Sequence, residues 1–212
     1  MTNSFRPGDV GLAALVLVAA LASPYLAVAQ ASSSGGPFGL RMAMSQAELS
    51  RIGKLEQLKG SNVFSIARVP KPHNAFESYA VIFTPSQGLC KVAGIGKTIE
   101  TSAHGVQLKS AFESMEEALT RKYGNHKRND FLSPGSIWDE PEDWMMGLQQ
   151  KDRYLSTFWD EEEKSTLADN IEAISLETIG LSRTSGFLRL SYEFSNFGAC
   201  SAELDMEADE AL

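Results

Sequence analysis

The 212-residue chain has little of several things, and each scarcity removes a class of function. Basic residues are outnumbered: 19 Lys and Arg stand against 27 Asp and Glu, giving a formal net charge of −8. That balance argues against nucleic acid or an anionic membrane surface as partner. Histidine occurs three times, as His73, His104 and His126, never at the spacing of metal ligands. There is no Gly-x-Ser-x-Gly elbow to present a nucleophile. No resident metal or cofactor is expected.

Cysteine occurs twice, and no Cys-x-x-Cys pair exists. Cys90 and Cys200 read most economically as one disulfide after export, tying the third strand to the end of the last. A redox pair is the competing reading, and the apolar setting of Cys90 counts against it.

A phosphate-binding loop is also absent, although Gly94-Ile95-Gly96-Lys97-Thr98 imitates its end. The motif requires a further glycine at position 91, which is Lys91, and a helix directly after Thr98. Ile99, Glu100 and Thr101 favour extended chain instead. The glycines suit a bulge or bend late in a strand.

No uninterrupted apolar run of about 20 residues is available to span a bilayer. Leu12 to Ala22 is apolar for eleven residues, Arg6 precedes it, and Ala27-Val28-Ala29 follows as a small-x-small site. This three-part order predicts a secretory signal peptide over residues 1–29, cleaved before Gln30. An uncleaved anchor is the alternative, but Pro24 interrupts the run from Leu12 to Ala29. Without a Cys at the cleavage site, a lipoprotein anchor is not indicated. The expectation is export to the periplasm of a Gram-negative bacterium or beyond, with no membrane anchor after cleavage.

What is present organises the remainder. Residues 30–37, "QASSSGGP", have linker composition. Ser45 and Glu48 form a capping box, flanked by Met44 and Leu49 as a hydrophobic staple. Ala47, Leu49 and Ile52 give the short helix an apolar side, and Gly53 ends it. Strands are predicted over Asn62–Val69, Phe76–Thr84 and Leu89–Ile95, the last two joined as a hairpin. Leu108, Ala111, Phe112, Met115, Ala118 and Leu119 recur at helical steps over Val106–Tyr123, and Gly124 stops that helix.

After an irregular polar stretch, strands follow at Arg153–Trp159, Asn170–Thr178 and Gly186–Phe197. In the last, Leu188, Leu190, Tyr192 and Phe194 alternate with Arg189, Ser191 and Glu193, one dry face and one wet. The expected fold is α+β, an antiparallel sheet of about six strands in helix-β-β-β-helix-β-β-β order, with the long helix on one face. One domain spans residues 38–202, and residues 203–212 form a solvated acidic tail.

The segment "WDEPEDW" is the candidate interaction surface. Trp138 and Trp144 bracket Asp139, Glu140, Glu142 and Asp143. It suits a docking patch, a cation site or a sugar platform, although it lacks the glycine and alternating ligands of a calcium loop. The competing reading is a turn around Pro141 whose tryptophans fold back into the core.

"FGLRMAMSQAEL" resembles the helix start of small exported modules, the BamE/SmpA-like envelope proteins and the β-lactamase-inhibitor-like fold, with Ala43 where those carry Gly. Gly88-Leu89-Cys90 and Tyr192-Glu193-Phe194-Ser195-Asn196 before a second Cys resemble a class of exported bacterial proteins. The likeness implies a compact, disulfide-bonded envelope protein and no reaction. The expected role is non-enzymatic binding of another envelope protein. The alternative is a carboxylate-based hydrolase of envelope glycans, which needs two acids facing one cleft.

Overall fold

The computed structural model describes residues 35–210. The expected signal peptide over residues 1–29 and most of the linker, 30–34, lie outside the described residues, as do residues 211–212. Gly36 and Pro37, at the end of the expected linker, are buried, and Pro37 opens a short 3-10 turn, Pro37–Gly39.

The fold is α+β. In chain order come α1 (Gln46–Ile52), β1 (Leu55–Gln57), β2 (Phe64–Ile66), β3 (Phe76–Thr84), β4 (Gly88–Gly96) and β5 (Ile99–Glu100). There follow α2 (Val106–Tyr123), β6 (Lys127–Leu132), α3 (Trp144–Gln150), β7 (Arg153–Trp159), β8 (Ile171–Ser182), β9 (Ser185–Phe194) and α4 (Phe197–Glu210). The strands form a single antiparallel sheet in the order β1-β2-β3-β4-β9-β8-β7-β6, with β5 pairing the start of β9.

The sheet has nine strands rather than about six. The additional ones are β1 and β5, too short to announce themselves, and β6. Strand β6 reads Lys-Arg-Asn-Asp-Phe-Leu, and five of its six residues are exposed. α3 is likewise an addition, in a stretch whose composition suggests an irregular loop.

Two helices form where the local signals put them. Ser45 accepts from the Glu48 amide and Glu48 Oε2 accepts from the Ser45 amide at 2.8 Å, so the capping box is closed. α2 runs from Val106 to Tyr123 and ends at Gly124. It lays Leu108, Phe112 and Leu119 on β8 and β9. α3 packs on β7 and β8. Phe112, Trp159 and Phe194 are fully buried beneath this layer.

The topology contains a repeat that the residues do not display. A helix precedes a four-stranded meander, β1 to β4. A second helix precedes a second meander, β6 to β9. The two meanders lie side by side and join where β4 pairs β9, with Ala93 opposite Ser191.

The expected acidic tail is helical as far as Glu210 within α4. Glu203 is not frayed. Its carboxylate accepts from the Thr84 hydroxyl at 2.6 Å, from the Ser86 amide at 3.3 Å and from the Ser86 hydroxyl. α4 thereby packs on β3 and β4 at their connecting turn.

Candidate functional site

Cys90 and Cys200 are disulfide-bonded, with Cα atoms 6.5 Å apart. Cys90 is the extra residue of a β-bulge, since Ile82 pairs Lys91 and Phe83 pairs Leu89. The bulge is how a residue on a central strand reaches a helix beyond the sheet. Both cysteines are fully buried. The disulfide is compatible with an oxidising, exported location.

The glycines of "GIGKT" make room for close packing. A Cβ on Gly94 would come within 2.8 Å of the Phe76 ring and 2.9 Å of Phe38. One on Gly96 would come within 2.7 Å of the Leu188 carbonyl oxygen. Strand β5 follows, not a helix, so no phosphate loop exists here.

The segment from Trp138 to Trp144 is divided by the fold. Trp144 is buried, with the Lys109 ammonium 4.2 Å from its ring centroid. Burial holds the Lys109 pKa below its ordinary value. Trp138 is half-buried beside Gly147. Asp139, Glu140 and Glu142 are exposed, while Asp143 is half-buried and lies 4.0 Å from Arg183. The carboxylates and Trp138 are therefore accessible, and Trp144 serves the core.

The three histidines stay apart. His73 Nδ1 accepts from the Ala75 amide, and His104 is exposed. His126 belongs to a buried polar cluster that the sequence reading missed. Glu116, on the inner face of α2, is only 8 % exposed. Its carboxylate accepts from Arg128 at 2.7 Å and from the Thr157 hydroxyl, and His126 Nε2 lies 3.8 Å away. Thr120 donates its hydroxyl to the Glu116 carbonyl, and His126 Nδ1 is 3.1 Å from that hydroxyl oxygen. Every charge in the cluster has a partner within it, as a buried carboxylate requires. It fastens α2 to β6 and β7. Among the described residues, no group of three or more His, Cys, Asp or Glu is arranged to hold a metal ion.

The face of the sheet away from α2 and α3 is different. Side chains alternate along each strand, so Ile82, Lys91, Ala93, Ile95, Arg189, Ser191, Glu193, Ser175, Glu177 and Phe158 all point to it. Together with Ala80 and Val81 of β3, and Leu58 and Val63 from the β1–β2 connection, they line a groove of about 560 Å³, to which none of the described helices contributes a lining residue. Its floor is small: Ala80, Ala93, Ser191 and Ser175 lie in one row across four strands. Ala93 is 9 % exposed and Ser191 3 %, at the bottom of this groove.

Its charges are paired, Lys91 with Glu193 at 2.7 Å and Arg189 with Glu177 at 2.8 Å. All four side chains remain partly open to solvent, between 27 % and 43 %. Beyond the groove the same face carries exposed Tyr154 and Phe131, paired across β6 and β7.

No family model, curated protein or solved structure matches the chain. Among the described residues, no helix is long and apolar enough to cross a membrane.

Proposed function

We propose that the protein is an exported, non-enzymatic binding protein of the bacterial envelope, working in the periplasm of a Gram-negative bacterium or beyond it. Its contact surface is the open sheet face, and its partner is another envelope protein. The observation that carries this reading is the groove on the sheet face away from α2 and α3, which no described helix lines and whose charges are already paired. A groove of this size lies within the range of ligand sites.

The pairing also weighs against the glycan-hydrolase alternative. Each of the two carboxylates in the groove is already engaged by a cation, Glu193 by Lys91 at 2.7 Å and Glu177 by Arg189 at 2.8 Å, so neither is left free to face a glycosidic bond.

The test is photo-cross-linking in the producing cell, with a photoreactive side chain in place of Ala93 or, separately, of Trp138. One stoichiometric protein joined through position 93 supports the proposal. The same protein joined only through position 138 keeps the binding role and moves the surface to the Trp138 segment. No protein from either position, together with cleavage of purified envelope glycans, establishes the hydrolase instead.

A further inference from the structure

Resting on that reading, we infer that the groove receives a protein loop carrying one bulky apolar side chain flanked by an acid and a base. The apolar side chain seats over Ala80, Ala93, Ser175 and Ser191, between the walls formed by Ile82 and Phe158. Small floor residues on four adjacent strands are what allow a large side chain to descend there. The flanking charges follow from the groove's own. On one side of the small row Lys91 faces Glu193, and on its other side Arg189 faces Glu177. A loop with charges of both signs complements both pairs without stranding either, whereas a loop of one sign would leave half of them opposed.

Other occupants fit the same observations less well. A sugar is held by many convergent donors and acceptors, and the floor here offers only the hydroxyls of Ser175 and Ser191 beside Ala80 and Ala93. A lipid chain requires an apolar enclosure, and this groove is crossed by two ion pairs. A second copy would set one concavity against another and leave the space between unfilled. Its net charge of −8 also opposes self-association.

The experiment pans the full disulfide-bonded protein against a phage-displayed library of disulfide-closed peptide loops. Enriched loops are measured for binding to the wild type and to Ser191→Trp, Ala93→Phe and Trp138→Ala. The loops should share an aromatic or large aliphatic residue with opposite charges near it. Binding should fall at least tenfold in Ser191→Trp and Ala93→Phe and stay unchanged in Trp138→Ala. Melting temperature reports whether either filled variant is folded, and reversal of one pair, Lys91→Glu with Glu193→Lys, is the second probe. It should shift the charge order of the selected loops.

Loops that bind the filled variants as well as wild type would overturn the inference. So would failure of any loop to enrich. Loops that are lost only in Trp138→Ala would overturn it too, while leaving the wider binding role intact.

Discussion

Removing the disulfide should be the most informative single perturbation of stability. The cross-link closes a segment 110 residues long, more than half of the described chain. In the chain-entropy treatment, a loop of that length restricts the unfolded ensemble by about 4.8 kcal/mol at 25 °C. For a domain of this size each kcal/mol moves the melting temperature by roughly 2–4 °C. Cys90→Ala with Cys200→Ala should therefore melt roughly 10–19 °C below the oxidised wild type. Reduced wild type should follow the double variant closely. The two single variants should each lose about as much as the double, since either removes the whole cross-link. Differential scanning calorimetry gives the melting temperatures. Urea titration supplies the second reading, a larger m value without the cross-link, because the freed chain exposes more surface on unfolding. A loss under about 4 °C, or single-variant losses that add, would refute the argument that the cross-link acts by restricting the unfolded chain.

Three further outcomes follow from particular residues. Gly105 has φ 72°, and a Cβ there would overlap the Trp144 ring. Gly105→Ala should cost about 2–5 kcal/mol in chemical denaturation, from left-handed strain and overpacking together, and less in a Trp144→Leu background. Ala43 occupies the left-handed region at φ 62°, so Ala43→Gly should stabilise by about 0.5–1 kcal/mol, a rise of roughly 1–4 °C in melting temperature. Hydrogen bonds from Ser86, then Thr84, hold the Glu203 carboxyl below its ordinary value of 4.5. Its contribution is therefore present above pH 4.5 and is lost as pH falls through the lower folded value. Glu203→Gln should flatten that part of the acid limb of a stability–pH profile, and an unchanged limb would show that the latch carries no linkage.

The parts of the fold legible in the sequence are those with local causes. α1 announces itself through Ser45 and Glu48, and α2 through its apolar stripe and Gly124. The alternation of β9 already separates Leu190 and Tyr192 from Arg189 and Ser191. β6 is illegible because it is polar and largely exposed, with no alternation of apolar residues; its pairing is supported by Arg128 with Glu116 and Asp130 with Arg153, partners distant in the chain. α3 is hidden by Gly147, a poor helix former. It is kept where a Cβ would press to 3.1 Å from the side chain of Arg153.

The candidate site follows the same division. "WDEPEDW" drew attention by composition, yet the burial of Trp144 depends on Gly105 and Lys109, some 40 residues earlier. The groove has no compositional mark at all. Ala80, Ala93, Ser175 and Ser191 are ordinary strand residues whose meaning appears only when four strands align them.

The junction of the two meanders has a consequence for how the chain assembles. Within each meander, neighbouring strands are joined by local connections, so each half can close early. The pairing of β4 with β9 instead joins residues about a hundred positions apart, such as Val92 and Tyr192. Until β9 arrives, β4 stands as a bare edge, and its sequence "GLCKVAGIG" is apolar with a single charge. Such a strand is a template for any other unpaired strand, including that of a second half-folded molecule. The interval between completing the first half and docking the second is therefore the period of greatest aggregation hazard. Cys90, lying on that same strand, is then an unpaired thiol awaiting a partner that follows the final strand.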